Sequence, residues 1–294
     1  MATQQRFGSV HTAQKLGKLE EYLKAYSSAL KHQGFHLVFF DAFAGTPDID
    51  LGKSDTPLLP IDDVRGFIRG SSRRALKFGT SFESYIFVEK SKRKVAELEL
   101  LKEEFPDIAG RIDIRCSDAN TELERFCKRF MKMQRAIVFL DPFGNQVTWR
   151  TIERIASTEA IDLWYLFPAG LGVHRQIGRD GLVHYTHEDS LDRMFGTRDW
   201  RTAFTESRKI PDLFDGQRTE HAKTATPDSI TRFMIERMKG IFNGGVLDEW
   251  LPLGTGGRHF YSLIFAWANP SPAATKLART LALAVIRSKK RGRT

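Results

Sequence analysis

The apolar positions of this chain change their period along its length. Between His11 and Phe35 the stretch "HTAQKLGKLEEYLKAYSSALKHQGF" sets Leu16, Leu19, Leu23, Tyr26 and Leu30 three and four residues apart. That spacing predicts one helix with a single apolar side, and Gly34 is a candidate stop. Short, nearly continuous apolar runs follow: "FHLVFF" (35–40), "SYIFVE" (84–89), "RIDIRC" (111–116), "RAIVFL" (135–140) and "IDLWYLF" (161–167). Runs of this kind belong to strands buried on both faces of a parallel sheet. Helical stretches separate most of them: "SKRKVAELELLKEEF", "NTELERFCKRFMKM" and "TWRTIERIAS". The alternation predicts a doubly wound α/β sheet.

The end of the chain departs from that pattern. "GGVLDEWLPLGTGGRHFYSLIFAWANP" reads as two extended runs joined by "GTGG", a hairpin signal. A last helix then begins at Ser271 and Pro272. The expectation is a seven-stranded, mostly parallel sheet with a C-terminal antiparallel hairpin, in a single domain over residues 1–294. Two stretches fall outside the alternation, Thr46–Phe82 and Pro168–Pro227. The second balances nine basic against nine acidic residues and carries four of the eight histidines. We read 168–227 as an inserted helical subdomain between the fifth and sixth strands.

Composition narrows the class. With 294 residues, 41% hydrophobic and 28% charged, the chain can bury a sizeable core. No apolar run approaches the roughly 20 residues that span a bilayer. The opening "MATQQRFGSV" has no apolar signal core. Two cysteines, Cys116 and Cys127, make neither a disulfide framework nor a metal quartet, so the expected location is a reducing cytoplasm. The net charge is +9. Nine basic residues lie between Arg65 and Lys94 against two acids, and the tail from Lys276 has none. Those blocks are compatible with a nucleic-acid partner, or with a solubilising face and a frayed tail. The pair His184 and His187 in "HYTH" lacks further ligands at zinc spacing.

Ligands of open α/β sheets bind beyond the carboxyl ends of the strands. Four successive strands deliver an acid there: Asp41 in "DAFAG", Glu89, Asp118 in "CSDAN" and Asp141 in "DPFG". One such acid is ordinary, because Asp often caps the next helix. Four are costly together unless they meet donors. The loop after the first strand has one glycine, Gly45, and neither the dinucleotide fingerprint nor a Walker loop is present. S-adenosylmethionine (SAM), with its cationic sulfur and amine and its ribose hydroxyls, suits acidic tips better than a phosphate does.

"DAFAG", "FVEK", "SDAN" and "DPFG" resemble successive motifs of class I SAM-dependent methyltransferases. More narrowly, "HTAQKLGKLEEYLKAY", "FFDAFAGT", "DTPLL", "FLDPFGNQVTW", "IDLWYLFPAGLGV" and "FYSLIFAWANP" resemble the three-Cys-motif partner family of bacterial and phage-associated proteins. The resemblance implies that Asp41, Phe43, Ala44 and Gly45 bind the methionine part of SAM. It implies that Glu89 binds the ribose and Asp118 the adenine amine. Asp141, Pro142 and Phe143 would face the methyl acceptor. His11 and Lys15, four apart on the first helix, would cover the pocket. The name of the family implies a cysteine-motif partner protein.

"DPFG" is also similar to the motif of methyltransferases acting on exocyclic base amines. Two departures stand out: Pro47, where many family loops have a second glycine, and the single proline of "DPFG". The expected function is methylation of an exocyclic nucleobase amine in RNA or DNA, with no metal. The alternative is a methyltransferase-like partner that binds SAM or nucleic acid without turnover. A nuclease reading of "PDID" lacks the Glu-x-Lys partner on the next strand.

Overall fold

A computed structural model describes residues 21–46, 71–78, 82–211, 217–254 and 257–287. His11, Lys15, Pro47, "PDID", most of the Thr46–Phe82 stretch and the basic end of the tail lie outside them. Helix α1 (21–30) leads into β1 (His36–Asp41). Then come α2 (Ser71–Phe78), β2 (Ser84–Glu89), α3 (Lys92–Glu104), β3 (Ile112–Cys116) and α4 (Ala119–Lys128). They are followed by β4 (Gln134–Leu140), α5 (Trp149–Ala156) and β5 (Ile161–Phe167).

The sheet order is β3-β2-β1-β4-β5-β10-β8, where β8 is Gly245–Val246 and β10 is Tyr261–Trp267. Strands β1 to β5 pair in parallel, and β10 pairs with β5 antiparallel. This is the expected doubly wound, mostly parallel sheet with an antiparallel ending. One detail differs. The sixth predicted run is broken into β8 and β9 (Leu251–Leu253), which line one edge of β10 at its two ends. The break holds Asp248, Glu249 and Trp250. Asp248 ion-pairs with Lys239 and Glu249 with Arg287, so these acids leave the ladder for surface partners.

Alternate residues of each strand feed two cores. One face holds Val38, Phe40, Val138, Leu163 and Ile264 under α4 and α5. The other holds Phe39, Phe87, Phe139, Trp164 and Phe265 under α1, α2, α3 and α9 (Pro272–Ile286). The predicted N-cap Ser271 accepts a hydrogen bond from Ala274 N at 3.3 Å. Asp162, at the amino end of β5, is buried in the second core, where Tyr22 Oη donates to its Oδ2 at 3.1 Å. Burial pushes this carboxyl up from 3.8 to about 7, against the lowering pull of Tyr22 and Arg135.

The 168–227 stretch is not all helical. It begins with a π-turn (Ala169–His174) and continues as α6 (Tyr185–Phe195) and α7 (Trp200–Phe204). It ends in an antiparallel pair, β6 (Thr205–Pro211) and β7 (Gln217–Lys223). The Asp215-Gly216 dipeptide between these strands is a hairpin signal. The polar sequence of the pair gave no apolar alternation to reveal it. Leu191, Met194, Phe195, Trp200 and Phe204 pack into the first core alongside α8 (Pro227–Lys239). Among the described residues no helix is long and apolar enough to cross a membrane.

Candidate active site

The order of the sheet reverses between β1 and β4, and in open α/β sheets ligands bind beyond the carboxyl ends of the strands at such a point. Because β3, β2, β1 and β4 are neighbours and parallel, all four predicted acids lie at that one edge. Their register makes a staircase. Asp41 is level with Phe87 and with Phe139, so Glu89 and Asp141 each stand two residues higher. Glu89 is level with Cys116, which puts Asp118 two residues higher again. The step from Asp41 to Glu89 is about 6.5 Å along a strand, and Asp118 and Asp141 follow just past the last residues of β3 and β4. Within the strands, Asp41 and Glu89 have the parity of Phe39 and Phe87, so they belong to one pleat.

The first tip turns sharply. Asp41 is fully buried, and its Oδ1 accepts a hydrogen bond from Phe43 N at 3.1 Å. Ala42 N still donates to Phe139 O at 3.1 Å, and Ala44 N then crosses to Val88 O at 2.9 Å. The loop therefore lies over the tips of both neighbours. Ala42 and Ala44 are buried, and Gly45 has φ +62°. Among the described residues a β-carbon at Gly45 would meet only Phe43 O, at 3.9 Å, so the backbone angle is what favours glycine.

Glu89 is a half-buried carboxylate. Its Oε1 accepts from Ser91 N at 2.7 Å, and its Oε2 lies 3.8 Å from Lys94 Nζ. Asp118 caps α4: its Oδ1 accepts from Thr121 N at 3.1 Å and from Thr121 Oγ1 at 3.3 Å. The ordinary role of a strand-end Asp is thus real here, and it occupies one of the two oxygens. Asp141 is half-buried, Pro142 is buried and Phe143 is 69% exposed. Phe143 N donates to Gln146 Oε1 at 3.1 Å, which closes the loop after β4. Lys90, Lys92 and Arg93 stand exposed just past Glu89.

The structure thus brings Asp41, Phe43, Ala44, Gly45, Glu89, Asp118, Asp141, Pro142 and Phe143 to one edge. Two features of the edge were not singled out in the sequence. Asn120, two residues past Asp118, bonds across to the loop after β4. Asn145 Nδ2 donates to Gln176 Oε1 at 2.8 Å, tying the same loop to the segment after β5. Asparagines in polar loops are common, so their spacing carried no signal for either.

No protein-family model matches the chain. No curated protein matches it either. Among solved structures it is similar to a Legionella pneumophila protein of family DUF519, at 13% identity and TM-score 0.38, covering 94% of this chain and 92% of that one. It is similar to magnesium protoporphyrin IX methyltransferase of Synechocystis, crystallised with SAM, at 13% identity and TM-score 0.32, covering 76% and 87%. A spermidine synthase bound to a transition-state analogue matches at 13% identity and TM-score 0.39, covering 94% and 66%.

Proposed function

We propose that this chain is a SAM-dependent methyltransferase whose acceptor is an exocyclic amine of a nucleobase in RNA or DNA. The observation that carries the reading is the staircase of carboxylates on four adjacent strand tips at the switch point. The residues fit the cofactor. Asp118 keeps Oδ2 without a protein partner among the described residues, and at Gly45, with φ +62°, no described residue would come closer than 3.9 Å to a β-carbon. Bound there, SAM supplies a methyl group on a cationic sulfur.

In this reading Asp41, Phe43, Ala44 and Gly45 shape the floor under the amino-acid end. Glu89 accepts from the ribose hydroxyls and Asp118 from the adenine amine. Asp141 holds one N–H of the acceptor, whose lone pair is otherwise delocalised into its ring. Phe143 stacks on the base, which its exposure allows, for roughly 1–3 kcal/mol. The exposed Lys90, Lys92 and Arg93 favour a phosphate backbone near the second tip. If the chain works within the three-Cys-motif partner family, a cysteine-motif protein is its companion.

Two measurements test the proposal. SAM or S-adenosylhomocysteine at about 100-fold over its Kd should stabilise the fold by roughly 2.7 kcal/mol. Tritiated methyl from SAM should enter a mixed pool of RNA and DNA, and the Asp141→Ala chain should transfer none. Absence of any thermal shift refutes cofactor binding. A shift without incorporation selects the non-catalytic partner instead.

A further inference from the structure

Asn120 occupies the first turn of α4, yet its side chain bonds to no part of that helix. Its Nδ2 donates to Gln146 O at 2.9 Å, across 26 residues of sequence. Its Oδ1 accepts from Thr148 N at 3.0 Å and from Thr151 Oγ1 at 2.7 Å. Gln146 in turn accepts from Phe143 N through its Oε1. One amide therefore joins the turn that contains Asp118 to the loop that carries Asp141, Pro142 and Phe143. It also ties that turn to the start of α5, where Thr148 caps the helix.

Only a carboxamide meets this arrangement. A carboxylate could accept from Thr148 and Thr151, but it would set an oxygen against the Gln146 carbonyl. An alanine would leave all three partners without Asn120. The link is also short: Asn120 sits in the hydrogen-bonded first turn of α4, and Gln146 O takes its bond directly from the Asn120 side chain, so displacement of one loop is passed to the other.

We infer that Asn120 is a positioning residue that sets the acceptor loop, 141–146, by reference to the adenine end of the cofactor site. Filling that end then steadies the acceptor loop. The inference rests on the cofactor reading above and deepens it by assigning the coupling between its two halves.

Hydrogen exchange on the full chain, with and without saturating S-adenosylhomocysteine, tests it. In the wild type, exchange should slow over 117–123 and, by about fivefold or more, over 141–147. In Asn120→Ala the first segment should keep its protection while the ratio for the second returns to about one. Asn120→Asp retains both acceptor bonds, so 148–151 should exchange as in the wild type without ligand, yet the response of 141–147 should be lost. That outcome separates positioning from a general loss of structure. A response of 141–147 that persists in Asn120→Ala overturns the inference, as does wild-type protection confined to 117–123. No protection over 117–123 in the wild type overturns the adenine assignment of Asp118, and the inference with it.

Discussion

Replacing Asp162 by Asn should make this protein more stable at pH 8 and leave it nearly unchanged at pH 4. Asp162 is 7% exposed, lies far from the candidate site at the amino end of β5, and has Tyr22 as its hydrogen-bond donor. Its carboxyl is raised from 3.8 to about 7, chiefly by burial. A raised folded value means that the native state holds a proton which the unfolded chain gives up. Stability from this group is complete below about pH 4, declines as pH climbs, and is lost once pH passes about 7. The rise corresponds to roughly 4 kcal/mol at high pH. That is a large share of the 5–15 kcal/mol that holds a typical domain together. An asparagine oxygen still accepts from Tyr22, and it carries no charge at any pH. Urea denaturation of both chains at intervals from pH 4 to pH 8.5 gives the difference curve, in which the other carboxylates cancel. The curve should rise from near zero to about 4 kcal/mol in favour of the variant. A flat curve, or a variant weaker than the wild type at pH 8, would refute the reasoning.

Three further outcomes are expected. Phe143→Ala should change folding stability by less than about 0.5 kcal/mol, because the ring is 69% exposed, while weakening acceptor binding roughly 5- to 150-fold in a filter-binding assay. Gly196→Ala should cost about 2 kcal/mol or more by thermal melting: the residue ends α6 at φ 63°, and a β-carbon would collide with the Trp149 ring. Alkylation at pH 8, followed by mass spectrometry, should modify Cys116 and spare Cys127. The first is exposed, whereas burial pushes the thiol of the second up to about 12.

Much of this architecture was legible from residues alone, for a physical reason. Strands buried on both faces must be apolar throughout, so β1, β2, β4 and β5 announced themselves within a residue of their ends. The acids at their tips followed from the parallel reading, since parallel neighbours bring their carboxyl ends together. What stayed hidden was structure held by polar contacts. The β6–β7 pair has no apolar alternation, and its Asp-Gly signal lay inside a stretch read as helical. The bonds of Asn120 depend on which loop faces α4, a fact of three dimensions. Asp162 read as one more residue of an apolar run; only its burial in the folded core shows its cost, and Tyr22, 140 residues earlier, offsets part of it.

The placement of β10 has a consequence for biosynthesis. It lies between β5 and β8, and it is made only after residue 260. Until it leaves the ribosome, β5 is a sheet margin with seven buried residues and one row of open amides and carbonyls. A nascent or prematurely terminated chain would present that margin to its neighbours. Fragments ending before Tyr261 should therefore precipitate or engage chaperones, whereas the finished protein does not offer that margin to its neighbours.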